Sequence, residues 1–233
     1  MSESKRVLVV ASHPDDEVLG CGGTMAVHAD NGDVVDVLIV VEGITSREAR
    51  RDAEGQAEIL TALQQSACDA AVVLGAREPH FLGLSDNRLD GMELLEVIKP
   101  IEALINELKP QVIYTQHGGD LNVDHRIVHQ AVVTACRPAP GASVRAIYGY
   151  ETASSTEWAS EHMGGVFHPV RFVDISKTLK RKRKALECYG SEMHPFPHAR
   201  SLDGLEALAR WRGVSAGVEA AEAFTVVREI SSP

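Results

Sequence analysis

Four uninterrupted apolar runs of strand length constrain this 233-residue chain more than any other feature: Val7–Ala11, Val34–Val41, Ala70–Leu74 and Gln111–Thr115. Continuous rather than alternating hydrophobicity marks strands buried on both faces, as in a parallel sheet. The stretches between them, Glu17–Asn31, Ser46–Gln65 and Met92–Leu108, have helical character. The third carries an apolar stripe of 3.6-residue period that stops at Lys109-Pro110, as helices tend to before proline. Ser46 is a suitable N-cap for the second. Alternating units of this kind predict a Rossmann-like, doubly wound α/β fold. Right-handed crossovers would put helices on both faces of a mostly parallel sheet.

Prolines and glycine at Arg137-Pro138-Ala139-Pro140-Gly141 mark a break. Beyond it the pattern predicts strands at Ser143–Tyr150, Val170–Asp174 and Ala223–Val227, and helices near Ser176–Cys188 and Leu202–Val214. A chain of this length suits one domain over 1–233, with its C-terminal third, from about 151, walling a site.

The net charge of -10 argues against nucleic acid as a partner, because phosphate binding depends on lysine and arginine. One basic run, 177–184, is expected to be a solvated helix face. Cys21, Cys68, Cys136 and Cys188 are scattered without a C-x-x-C pair, which points away from disulfides and thiolate zinc sites. The first apolar run is too short for a signal segment, and no stretch approaches the roughly 20 apolar residues of a membrane helix. A soluble, cytoplasmic enzyme without a membrane span is the expectation. Self-association as a homo-oligomer is left open.

The chemistry sits at two strand ends. The first run empties into His13-Pro14-Asp15-Asp16-Glu17, the fourth into His117-Gly118-Gly119-Asp120-Leu121-Asn122-Val123-Asp124-His125. In an open α/β sheet, ligands bind beyond the carboxyl ends of strands where strand order reverses. Strands one and four commonly border that point, so the two segments should face each other. Two imidazoles and one carboxylate, His13, Asp16 and His125, make a three-ligand metal site with an open position, the pattern of a catalytic zinc. Asp15 and Asp16 should diverge in a tight turn, leaving Asp15 as general base for a metal-activated water. Glu17 would support from behind. His129, four residues after His125, is a rival ligand.

These residues also carry a family resemblance. His13-Pro14-Asp15-Asp16-Glu17-Val18-Leu19-Gly20-Cys21-Gly22-Gly23 resembles the signature of the PIG-L / LmbE-like zinc de-N-acetylases, and Asn122-Val123-Asp124-His125-Arg126 resembles their second metal motif. Arg51-Asp52-Ala53-Glu54 is similar to an R-x-x-E helix of the family, and Ser85-Asp86 to a loop aspartate that touches the sugar. Tyr189–Glu192, Pro197–Ser201 and Ala221–Phe224 fit its C-terminal pattern. The resemblance implies one Zn²⁺ per chain on His13, Asp16 and His125, with Asp15 as base. It also implies substrate contacts from Arg51 and Asp86. The reaction implied is removal of an N-acetyl group from an N-acetylglucosamine-type amino sugar. The acidic surface favours a soluble glycoside or nucleotide-linked sugar over a glycolipid. Some members have a histidine three residues before the last ligand; here Asn122 stands there, on the substrate side. Another donor must then assist, and His198 is the candidate, His194 the second choice.

Two other readings compete. Gly20-Cys21-Gly22-Gly23 follows a strand as in a nicotinamide-dependent enzyme, but the spacing is not G-x-G-x-x-G and carboxylates fill the turn. These glycines are better suited to close packing of a helix on the sheet. A non-catalytic sugar- or metal-binding module would have no use for a free Asp15.

Overall fold

The computed structural model describes residues 4–47 and 50–231. Seven strands form one sheet: β1 (Arg6–Ala11), β2 (Val34–Val41), β3 (His80–Leu84), β4 (Val112–Gln116), β5 (Ala146–Tyr150), β6 (Arg171–Asp174) and β7 (Ala221–Glu229). Their order is β3-β2-β1-β4-β5-β7-β6. The first five are parallel, and β7 runs antiparallel between β5 and β6. The helices are α1 (Asp16–Asp30), α2 (Ala57–Leu74), α3 (Leu94–Leu108), α4 (Val123–Ala135), α5 (Leu179–Cys188) and α6 (Leu202–Ala216).

Strand β1 shows why the apolar runs are continuous. Val7, Val9 and Ala11 pack on one face with side chains of α1, α2, α5 and α6, while Leu8 and Val10 pack on the other with α3 and α4. Every residue from Val7 to Ala11 is fully buried. The chain steps outward from β1 to β2 and β3, then returns to place β4 on the opposite side of β1. The turns after β1 and β4 therefore meet at the reversal of strand order.

Three expectations fail along the way, each for a local reason. Ala70–Leu74 is not a strand but the last turns of α2, which ends at Gly75 in the left-handed conformation (φ 79°). A five-residue apolar run has no period of its own, and the helix cap decides it. The third strand is His80–Leu84 instead. Ser46 does not cap a long helix: it lies in a single 3₁₀ turn, Thr45–Arg47, and α2 begins only at Ala57. Asp52 accepts the Gly55 backbone N–H at 2.8 Å, a local turn that competes with helix, so Arg51–Glu54 lies outside α2.

The basic run is not simply solvated. Lys182 is buried and donates to Leu19 O at 2.8 Å and Glu222 Oε1 at 2.6 Å. Glu222 in turn accepts the backbone N–H groups of Gly23 and Thr24 at 2.9 and 2.7 Å. Helix α1 is broken at Cys21 (φ −145°, ψ 22°), and this buried pair satisfies the backbone groups that the break releases. The break lets α1 lie close to the sheet. A Cβ on Gly20 would come within 2.1 Å of the Tyr150 ring on β5.

Candidate metal centre and active-site cleft

Three donor atoms converge between the turns after β1 and β4. His13 Nδ1 lies 3.1 Å from Asp16 Oδ2 and 3.2 Å from His125 Nε2, and His125 Nε2 lies 3.2 Å from the same Asp16 oxygen. A tetrahedral ion with bonds of about 2.1 Å holds neighbouring ligand atoms roughly 3.4 Å apart. The three atoms already stand close to that spacing. Asp16 Oδ1 is buried with no hydrogen-bond partner, and the whole side chain is inaccessible to solvent. These residues fit a divalent cation.

The electrostatics agree. Burial alone pushes an imidazole pKa down, yet Asp16 and Asp120 hold His125 at about 9, and Asp124, Asp16 and Asp86 hold His13 well above its ordinary value. Burial also works to raise the Asp16 carboxyl, but the two histidines keep it well below the usual range. Such surroundings stabilise positive charge at the centre, carried by protons or by a metal ion.

Partners behind the donors orient them. Asp120 Oδ1 lies 3.0 Å from His125 Nδ1, which leaves Nε2 facing the centre. Asp120 is itself held by the hydroxyls of Ser155 and Thr156. Gln116 Nε2 donates to Asp16 Oδ2 at 3.0 Å. On the far side of His13, Nε2 lies 3.1 Å from Asp86 Oδ1 and 3.4 Å from Asp124 Oδ2. His13, Asp86 and Asp124 form a second group close enough to hold a cation. Its carboxylates accept backbone N–H groups: Ser46 N donates to Asp86 at 3.0 Å, and Asn87 N and Leu89 N donate to Asp124 at 2.6 and 3.1 Å. The first group fits zinc better because it supplies two imidazole nitrogens rather than one.

Asp15 diverges from Asp16 as the turn demands. Its φ of 118° is rare for a residue with a side chain and sends consecutive carboxylates different ways. Asp15 Oδ2 accepts from Arg200 Nη1 at 2.8 Å, while Oδ1 is buried and unpartnered. Burial raises the Asp15 carboxyl well above its usual range, against the opposing pull of Arg200. Glu17 is buried behind it, accepts from the Tyr189 hydroxyl at 2.5 Å, and is pushed up to about 7 by burial.

A cavity of about 140 Å³ opens beside these groups, lined among others by His13, Asp15, Arg47, Asp86, Asn122 and Arg200. Asn122 caps α4, accepts from Asp124 N at 2.8 Å, and donates to Asn87 Oδ1 at 3.0 Å. Arg51 is not brought there: Glu42 holds its guanidinium through two bonds of 2.7 and 2.8 Å, and Arg47 reaches the cavity instead. His198 lines an adjoining cavity, with His194 (ring centroids 4.3 Å apart), rather than the one holding the three donors. His129 is committed to Gln116 O at 2.8 Å and is not among the converging donors.

Sequence reasoning missed Arg47, Gln116, Asp120, Glu192 and Arg200. Asp120 stood in the His- and Asp-rich segment after β4, five residues before His125, and that spacing could have flagged it. Glu192 and Arg200 stood in the two segments, Tyr189–Glu192 and Pro197–Ser201, that resemble the family's C-terminal pattern, but the role of Arg200 depends on a partner, Asp15, 185 residues away.

Fold and site together define an α/β protein with a candidate His-Asp-His metal centre at the sheet's topological switch point. A family model described as GlcNAc-PI de-N-acetylase, PIG-L, matches residues 8–136, and the chain belongs to that family. A probable N-acetyl-alpha-D-glucosaminyl L-malate deacetylase 2 from Bacillus cereus is 31% identical over 214 residues, covering 89% of this chain and 94% of the relative. Among solved structures, N,N′-diacetylchitobiose deacetylase from Pyrococcus horikoshii superposes with a TM-score of 0.75 at 21% identity, covering 97% of this chain and 85% of that one. GalB, the 4-carboxy-2-hydroxymuconate hydratase from Pseudomonas putida, gives 0.79 at 21% identity, with 98% of each chain covered. At such identity the structural likenesses establish the fold alone. Since that fold carries two different named activities, the chemistry must be argued from the site. No helix among the described residues is long and apolar enough to cross a membrane.

Proposed function

We propose that this protein is a zinc-dependent hydrolase that removes the N-acetyl group of an N-acetylglucosamine-type amino sugar. The observation that carries the reading is the convergence of His13 Nδ1, Asp16 Oδ2 and His125 Nε2 within 3.2 Å, next to a buried, unpartnered oxygen of Asp15. Two imidazoles and a carboxylate suit zinc, one ion per chain. When bound, it supplies Lewis acidity and a water acidified to about neutral pH.

The chain's own residues supply the rest. Asp15 Oδ1 takes the proton from the attacking water and delivers it to the nitrogen of the departing amine. The carbon–nitrogen bond breaks, and acetate and a free amino sugar result. Arg200 Nη1 holds the other Asp15 oxygen, so the base is aimed before the substrate enters. The cavity wall formed by Asp86, Asn122 and Arg47 faces the sugar. Asn122 and Arg200 are donors at that wall, and we assign the assisting role to Arg200 in preference to His198 because Arg200 lines the same cavity as Asp15. Four unpaired cysteines fit action in a reducing compartment such as the cytoplasm.

The test is acetate release from N-acetylglucosamine and its glycosides, with metal content measured alongside. Zinc at one equivalent and a fall in kcat of about 10²–10⁴-fold in Asp15→Ala are expected. An Asp15→Ala protein as active as its parent overturns the assignment of the base. Tight zinc with no amide hydrolysis on any derivative favours a binding module instead.

A further inference from the structure

Asp15 stands where an aspartate ordinarily serves its own helix. A residue that precedes a helix turns its carboxylate back onto the free N–H groups of the first turn. Spent in that way, the carboxylate would be a poor base. Asp15 precedes α1, yet its side chain accepts no bond from that helix. Its carbonyl oxygen closes the helix end instead, accepting Val18 N and Leu19 N at 3.0 and 2.9 Å. The carboxylate is thereby released to Arg200 and the cleft, with Oδ1 left unpartnered.

The release depends on a backbone of φ 118° and ψ −30°. For a residue with a Cβ, such a conformation persists only where surrounding contacts impose it. Two side chains from distant parts of the chain supply them. Glu17 Oε2 accepts the Asp15 backbone N–H at 3.1 Å. Glu17 Oε1 accepts the Tyr189 hydroxyl at 2.5 Å, across 172 residues of sequence. Both side chains are buried, and neither lines the cavity at the three donors. Arg200 fixes the carboxylate end of Asp15 but does not reach its backbone.

We propose that Glu17 and Tyr189 are positioning residues: they pin the Asp15 N–H and so keep its carboxylate out of the helix cap and in the cleft. The proposal rests on the deacetylase reading above and assigns a task to two residues that its mechanism does not use. The bond to the Asp15 N–H, and not the charge of Glu17, does the positioning. A glutamine at 17 preserves it, since its amide oxygen accepts the Asp15 N–H while its amide nitrogen donates to the Tyr189 hydroxyl oxygen.

The test compares the zinc-loaded parent with Glu17→Ala, Glu17→Gln and Tyr189→Phe for zinc content, for kinetics of acetate release from N-acetylglucosamine, and by crystallography. Glu17→Ala should lower kcat about 10²-fold at unchanged KM and zinc content. Glu17→Gln should restore most of that loss. Tyr189→Phe, which frees Glu17 without removing it, should cost about 2–10-fold in kcat. In crystals of Glu17→Ala, Asp15 should take a negative φ and bond its carboxylate to the first turn of α1. Parent-like kcat in Glu17→Ala, equal losses in the alanine and glutamine variants, or a loss that tracks zinc content overturns the proposal. Should Glu17→Ala fail to fold, the other two variants decide. Tyr189→Phe with the parent's kcat, or Glu17→Gln as impaired as Asp15→Ala, overturns it. The crystallographic readout needs no turnover. A rotated Asp15 in Glu17→Ala, with no acetate released by the parent from any derivative, supports the positioning and overturns the hydrolase reading. An unrotated Asp15 overturns the positioning alone.

Discussion

Asp120 illustrates how much of a metal centre lies beyond its ligands. It touches no open face of the cleft, yet its carboxylate meets the outer nitrogen of His125 at 3.0 Å and is itself gripped by two hydroxyls. A partner of this kind selects the tautomer and ring orientation of the ligand. Asp120→Ala should therefore weaken zinc affinity about 10–100-fold while leaving the fold intact. Competition with a chromophoric chelator measures it directly; affinity equal to the parent's would show that the His125 ring is oriented by packing alone. Asp15 makes a different point. Its left-handed backbone conformation costs on the order of 1–3 kcal/mol and separates two adjacent carboxylates into distinct surroundings.

At the scale of elements, α1 does two tasks that conflict in a straight helix. Its first turn must present Asp16 and Glu17 inside the protein, and its middle must lie against β5. The break at Cys21, bridged by Lys182 and Glu222, allows both. Gly20→Ala would drive a methyl group into the Tyr150 ring, whose hydroxyl donates to Val10 O at 3.1 Å beside the β1 turn. A loss of about 1–3 kcal/mol is expected, read as a lower urea midpoint at unchanged slope. Tolerance of that substitution would mean the helix shifts more freely than its contacts indicate. Residue-level legibility follows the same division. The glycines of α1 announced close packing, whereas α2 was misplaced because a capping glycine and a local aspartate turn outweighed the apolar run beside them.

Across the whole molecule, two histidines outside the donor set contribute a sensitivity to acid. His28, bonded to Asp33 at 2.7 Å and Tyr114 at 3.0 Å, and His129 both have pKa values lowered chiefly by burial. Since the folded-state pKa lies below the unfolded value of about 6.5, the unfolded chain takes up protons first as pH falls. Their contribution is complete above that pH and is lost progressively as pH drops through 6.5 toward the folded values. Glu17, His13 and His125, whose folded-state values are raised, gain stability over the same interval, so the His28 contribution is read as a difference: between pH 7.5 and 5.5 the urea midpoint of His28→Gln should fall less, or rise more, than the parent's. An equal slope in that variant would remove His28 from the account.

Read alone, the chain's local patterns determined the sheet's central strands, most of the helices, and the two segments that carry His13, Asp16 and His125. These are matters of short-range period and spacing, and a parallel α/β sheet converts strand ends into neighbours by topology. The seating of Arg200 against Asp15, of Arg47 rather than Arg51 at the cavity, and of Trp158 and His198 in a second chamber was decided only by tertiary structure. The reason is physical: an exposed-type side chain such as arginine takes its role from whichever carboxylate the packed chain brings within about 3 Å, and no local pattern encodes that distance.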